Sequence, residues 1–219
     1  MRPRIKICCI SSIEEARTAI DFGASALGLV GKMPNGPGPI DDEQINEIAQ
    51  NIPPPIATFL LTSETTGEAI LDHHKRTQTN TIQIVDRPER GTHEYLKKKL
   101  PHVKRVQVIH ITGEESIDEA LFYAEKADLL LLDSGNPNLD VKELGGTGRT
   151  HNWDISREIV KQSPIPVFLA GGLNADNVKK ALDTVQPFGI DVCSGVRTHG
   201  NLDPKKLKTF SKASGFSNI

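Results

Sequence analysis

Short apolar, β-branched runs alternate with helix-length amphipathic stretches along the whole 219-residue sequence, and this alternation limits the fold more than any other feature. Eight runs read as strands: Ile5–Ile10, Ala26–Val30, Ile56–Leu61, Thr81–Val85, Val103–His110, Asp128–Asp133, Val167–Ala170 and Gly189–Val192. Between them, Ile13–Phe22 follows Ser11 and Ser12, residues that cap helix N-termini, and stops at Gly23. Asp41–Gln50 opens with acids that suit the positive end of a helix dipole. Glu114–Lys126, Asp154–Lys161 and Asn174–Leu182 repeat the pattern. Strands each followed by a helix are what a closed parallel barrel needs, and Leu129–Leu132 is apolar on both faces, as in a sheet covered on both sides. The expectation is an α/β chain in which residues 1–219 form a single (β/α)8 TIM barrel domain. The rival is an open doubly wound sheet. No Gly-x-Gly-x-x-Gly follows the first strand, which argues against its dinucleotide-binding form.

Composition narrows the partners. Net charge is −2 and no basic stripe is present, so nucleic acid is not an expected partner. No stretch approaches the roughly 20 apolar residues of a spanning helix, and the apolar run in MRPRIKICCIS is too short for a secretion signal. A cytoplasmic protein without a membrane partner is expected. The cysteines are Cys8, Cys9 and Cys193, an odd count with two adjacent, which is no disulfide framework. Adjacent strand residues face opposite ways, so Cys8 and Cys9 are expected to play different roles. Cys8, Cys193, His110 and Asp133 lack zinc-ligand spacing, so no metal is expected.

In this fold, chemistry gathers at the C-terminal ends of the strands. The first such end is Cys8-Cys9, and the sixth is Asp133. A carboxylate there could hold or deliver a proton, or bind loop amides. A thiol opposite it could be a base, or a small buried apolar group. Gly145-Gly146-Thr147-Gly148, Gly171-Gly172 and Ser194-Gly195 follow the last three strands. Each loop alone could be a tight turn. Together they give backbone amides and helix N-termini converging on one point, which is a phosphate site. The longest irregular piece, Gly31–Ile40, falls after the second strand, on the same face.

Lys6-Ile7-Cys8, Leu131-Leu132-Asp133, Gly145-Gly146-Thr147-Gly148, Leu169-Ala170-Gly171-Gly172-Leu173 and Asp191-Val192-Cys193-Ser194-Gly195-Val196 resemble phosphoribosylanthranilate isomerase, in register over nearly the whole chain. The resemblance implies a (β/α)8 barrel without cofactor, acting in tryptophan biosynthesis. It implies an Amadori rearrangement of an N-(5-phosphoribosyl) aminoaldose to a 1-deoxyribulose phosphate. Cys8 would be the base and Asp133 the acid. The phosphate would rest on Gly146, Thr147, Gly148, Gly171, Gly172, Ser194 and Gly195, with Asp191 near the substrate. Lys6, two residues from Cys8 on the same strand face, is expected to favour its thiolate.

Four positions depart from the family's usual pattern. Cys9 stands where glycine follows Lys-Ile-Cys. Lys32-Met33-Pro34-Asn35 replaces Ser-Pro-Arg, whose arginine would meet the anthranilate carboxylate. Gln83-Ile84-Val85-Asp86 replaces Gln-Leu-His-Gly, and Arg197 replaces a glutamate. Lys32, Arg149, Gln83 and His110 are the candidates for the aglycone side, with Arg197 a further one. Three readings stay open: the isomerase itself, a diverged relative isomerising another phosphosugar, or a non-catalytic phosphate-ligand-binding barrel. The expected partner is a small phosphorylated sugar, and the expected assembly a monomer or homodimer.

Overall fold

A computed structural model describes residues 2–139 and 141–216. The expected 1–219 domain thus extends outside the described residues at 1, 140 and 217–219. Eight parallel strands close a barrel in sequence order: β1 (Arg4–Ile7), β2 (Ala26–Val30), β3 (Ala57–Thr62), β4 (Thr81–Ile84), β5 (Lys104–His110), β6 (Leu129–Asp133), β7 (Val167–Leu169) and β8 (Gly189–Val192). Helices α1 (Ile13–Asp21), α2 (Asp42–Gln50), α3 (Gly67–Thr77), α4 (Thr92–Lys99), α5 (Glu115–Ala124), α6 (Trp153–Gln162), α7 (Val178–Val185) and α8 (Pro204–Ala213) follow the strands in turn. The seam between β1 and β8 pairs Lys6 with Asp191 and Ile7 with Val192.

Strand alternation sets what faces inward. Ile5, Ile7, Leu27 and Leu29 point out to the helices, packing with residues such as Ala16, Ile45, Val178 and Leu207. Each such fully buried side chain contributes about 1.5–3 kcal/mol. Lys6 and the residues between, including Ala26, Val30, Phe59, Val106, Leu131 and Phe168, fill the barrel. Phe59 and Phe168 meet edge to face at 6.4 Å across it.

Strand starts fall within one residue of those read from the sequence. The ends differ more. β1 was expected to reach Ile10 but stops at Ile7, because Cys9 has φ +63° and breaks the extended backbone. α7 starts at Val178 and not Asn174, because the Asn174 and Asn177 side chains bond the preceding turn: Asn174 Oδ1 accepts from the Asp176 amide at 2.9 Å, and Asn177 Oδ1 from the Asn174 amide at 2.9 Å. α1 is fixed at its start by Ser12 Oγ, which accepts from the Glu15 amide at 3.1 Å, while the Glu15 carboxylate returns to the Ser11 amide. Among the described residues, no helix is long and apolar enough to cross a membrane.

Candidate active site

A cleft open to solvent lies at the C-terminal ends of the strands. Cys8 enters it from just past β1, Gln83 from β4, Asp133 from the last residue of β6 and Asp191 from β8. Gly145, Gly146, Thr147 and Gly148 line it from the loop after β6, Gly171 and Gly172 from the loop after β7, and Ser194 from the turn after β8. The structure thus brings together both members of the expected proton-transfer pair and the glycine loops.

Below the cleft, Lys6 is fully buried and its Nζ lies 2.8 Å from Asp191 Oδ2. Burial works against the ammonium, but Asp191 and the Cys8 thiol favour it, and Lys6 stays charged well above its ordinary range. Gly28 on β2 makes room for this pair. A Cβ there would lie 2.7 Å from Cys8 Sγ and 3.1 Å from Lys6 Nζ, so thiol and ammonium crowd one point. The Cys9 thiol, hydrogen-bonding to Cys8, holds Cys8 below the usual thiol value against burial, and Lys6 adds to the effect. Hydrogen bonding to Cys193 and then to Cys8 pushes the Cys9 thiol up, so Cys9 remains the protonated donor. The Pro37 carbonyl, 3.6 Å from Cys9 Sγ, competes for the same single proton.

Asp133 is buried at the opposite wall. The Ser134 amide donates to its Oδ1 at 2.7 Å, and its Oδ2 points past the bare Cα of Gly145 toward the cleft loops. Thr147 and Ser134 share a hydroxyl hydrogen bond of 2.7 Å that ties the loop after β6 to its strand. Gly172 (φ +60°) must lack a side chain, because a Cβ would lie 2.6–2.8 Å from the backbone of Arg149 and Thr150. Its carbonyl is taken by Asn177 Nδ2 at 2.9 Å. Among the described residues, the amides of Gly146, Thr147, Gly148, Gly171 and Gly172 donate to no other protein oxygen, which leaves them free for an anion. Buried Gln83 Oε1 and Asp191 Oδ1 are also without protein partners. Beside Gly171, burial holds His151 down at about 4, while its Nε2 meets Ser156 Oγ at 2.7 Å.

Several expectations on the aglycone side need correction. Lys32 is exposed and does not line the cleft, because the strand leaves its side chain at the rim and Met33, Asn35, Gly36 and Pro37 turn in instead. Arg149 contributes backbone against Gly172, but its side chain is drawn outward to Glu143. His110 bonds the Val85 carbonyl at 2.8 Å and lines a separate small pocket with Asp86 and Arg87. Arg197 is buried behind the site. It donates to the Cys8 carbonyl at 3.2 Å and to Glu15 Oε1 at 3.0 Å, clamping the end of β1. Gly195 does not line the cleft, since it packs on the Leu173 carbonyl. Gln83 alone of the aglycone candidates faces the cleft. Cys8 and Cys9 do not face opposite ways as strand alternation implied: both line the cleft, because the strand ends at Ile7.

Residues 5–213 match the model of the N-(5'-phosphoribosyl)anthranilate (PRA) isomerase family. The chain belongs to this family. An N-(5'-phosphoribosyl)anthranilate isomerase of Microcystis aeruginosa is 36% identical over 205 residues, 93% of each chain. One of Methanocella arvoryzae is 31% identical over 193 residues, 88% of each. Among solved structures, the phosphoribosyl anthranilate isomerase of Thermotoga maritima superposes with a TM-score of 0.81 at 30% identity, covering 97% of this chain and 98% of the other. A phosphoribosyl anthranilate isomerase in complex with reduced 1-(o-carboxyphenylamino)-1-deoxyribulose 5-phosphate superposes with a TM-score of 0.78 at 28% identity, covering 97% and 98%.

In this PRA isomerase family member, Cys9 holds a left-handed backbone. A glycine would adopt φ +63° without strain, whereas a side chain there costs about 1–2 kcal/mol. Gly38 makes room for that side chain, since a Cβ at Gly38 would lie 2.5 Å from Cys9 Cβ and 3.1 Å from Cys9 Sγ. The Lys6–Asp191 pair and the Arg197–Glu15 clamp were missed by sequence reasoning, though the matching inward register of Lys6 and Asp191 could have revealed the first.

Proposed function

We propose that the chain, acting as one barrel domain over residues 1–219, isomerises N-(5-phosphoribosyl)anthranilate to the 1-deoxyribulose phosphate aminoketose in tryptophan biosynthesis. The observation that carries this reading is Cys8 and Asp133 facing one cleft beside unpaired glycine-loop amides. Asp133 protonates the furanose ring oxygen, and the ring opens to a Schiff base. The Cys8 thiolate then takes the C2 proton, and the resulting enolamine tautomerises to the ketone. Such positioned acids and bases contribute about 10²–10⁴-fold each. The phosphate rests on the amides of Gly146, Thr147, Gly148, Gly171 and Gly172, completed by Ser194 at the start of the turn after β8. Asp191 steadies Lys6 and offers its free Oδ1 to a sugar hydroxyl. The product-like ligand of the solved relative carries the same groups: a phosphate, a ribulose chain and a carboxyphenylamine.

One observation favours a second reading. Among the residues lining the cleft there is no lysine or arginine, so nothing cationic awaits the anthranilate carboxylate. A diverged isomerase acting on an N-phosphoribosyl amine without that carboxylate fits this wall, with Gln83, Asn35 and Met33 against the aglycone. The Cys8/Asp133 pair speaks against a binding-only barrel, which needs neither. We place the reaction in the cytoplasm, in a monomer or homodimer. One solved structure describes monomers generated from the dimeric Thermotoga maritima enzyme.

Complementation of a tryptophan auxotroph lacking the isomerase tests the proposal. Growth restored by the wild-type chain and lost with Cys8→Ala or Asp133→Asn supports it. Soluble, folded protein without growth rejects anthranilate as the aglycone and leaves the second reading.

A further inference from the structure

We propose that Cys8 and Cys9 form a reversible oxidation site, in which Cys8 takes oxygen from a hydroperoxide and Cys9 captures it as a disulfide, with Cys193 beside them as an unreacted thiol. All three thiols are free and line the open cleft. The Cys8 amide donates to the Val192 carbonyl at 2.9 Å, which carries the β1–β8 register one step further and sets Cys193 opposite Cys8. In an extended strand Cys8 and Cys9 would face opposite ways. The left-handed backbone of Cys9 turns both toward the cleft. Lys6 lies beside Cys8 Sγ, as the crowding at Gly28 requires, and a nearby cation favours the reactive thiolate. Among the described residues, no three His, Cys, Asp or Glu side chains are grouped to hold a metal, so the thiols have no metal-ligand role to explain them.

The steps balance. The Cys8 thiolate attacks the distal peroxide oxygen. An S–O bond forms, the O–O bond breaks and the alkoxide leaves to take a proton from water. Sulfur is oxidised by two electrons and the peroxide is reduced. Cys9 sulfur then attacks the Cys8 sulfenic acid. An S–S bond forms, the S–O bond breaks, and hydroxide leaves as water with the Cys9 proton. A thiol reductant reverses the second state by exchange. Cys9 is the resolving thiol because its left-handed backbone turns it onto the cleft beside Cys8, its neighbour in the chain. The thiol chemistry stands apart from the isomerase reading; only the loss of turnover on oxidation rests on it.

The test treats reduced, full-length protein with hydrogen peroxide, blocks free thiols with an alkylating reagent and maps the products by mass spectrometry. The Cys8–Cys9 peptide is expected to lose two hydrogens and stay unalkylated, with dithiothreitol restoring both thiols, while Cys193 is alkylated. In Cys9→Gly, which relieves the backbone at φ +63°, Cys8 should pass irreversibly to sulfinic acid. Cys9→Ser should behave alike, and Cys193→Ser should keep the disulfide. Wild-type protein giving only sulfinic Cys8, a disulfide surviving in Cys9→Gly, or its loss in Cys193→Ser would each overturn the proposal. Reduced protein that turns over no phosphoribosyl amine would reject the isomerase reading alone and leave the thiol map intact.

Discussion

The Lys6 ammonium and the Asp191 carboxylate meet at 2.8 Å inside the barrel, on the first and last strands and one inward row below Cys8. Removing one partner leaves the other charge buried and alone. Lys6→Met is therefore expected to cost about 3–5 kcal/mol in denaturant unfolding, and Lys6→Met with Asp191→Leu to recover most of that loss. Lys6→Met should also raise the Cys8 thiol, read as thiolate absorbance against pH. An unchanged Cys8 titration would contradict the role given to Lys6.

Cys8 bears on pH dependence. Its folded value lies below that of an ordinary thiol, chiefly through the Cys9 hydrogen bond. Its thiolate thus adds stability that is complete above the unfolded thiol value and disappears as pH falls through the folded one. The acid limb of kcat/KM should follow the same folded value. Cys9→Ser should move that limb, since the donor changes; a limb fixed in place would show that another group controls it.

His151 works in the acid range. Burial lowers it to about 4 from 6.5, so the unfolded chain binds more protons between those values. Stability should then fall as pH drops from 6.5 toward 4, by on the order of 3 kcal/mol for this group. Unfolding of His151→Gln across that window should show a shallower slope.

Gly28→Ala tests the crowding of thiol and ammonium. A methyl group 2.7 Å from Cys8 Sγ must displace it. The expected result is a drop in kcat of about 10²-fold, of the size that a misplaced catalytic group causes. KM should change little, because the phosphate loops lie elsewhere. A variant with full kcat would show that Cys8 need not hold this position.

Arg197 separates clamp from substrate contact. Arg197→Ala leaves Glu15 half-buried without its partner, and should cost about 2–5 kcal/mol, a melting shift of several degrees. The ratio of kcat/KM between anthranilate-bearing and carboxylate-free substrates should stay the same. A changed ratio with unchanged stability would return Arg197 to the aglycone side.

The barrel was legible because its signal is periodic: apolar runs such as Leu129–Leu132 recur at intervals a helix can span. α3, with His73, His74, Lys75 and Arg76, and lysine-rich α4 were less legible, since their charged faces blur the apolar stripe. Cys8, Asp133 and the glycine loops were legible because their chemistry is local to strand ends. The aglycone wall was not. Arg149 and Arg197 are drawn to Glu143 and Glu15, and such pairings depend on loops meeting in three dimensions. Cys9 shows the same limit: only its backbone angle reveals that it shares the cleft with Cys8.

The 185 positions between Lys6 and Asp191 have a consequence for synthesis. At about 5–20 residues per second, the ribosome releases Lys6 and Cys8 roughly ten to forty seconds before the strand that completes their pocket. During that interval the nascent chain carries an unmatched cation and an unshielded thiol destined for a dry interior. A truncated or stalled chain therefore lacks the buried ion pair, however much of its sheet has formed. The ion pair is in effect a record of ring closure, because its two halves lie on the strands that meet last.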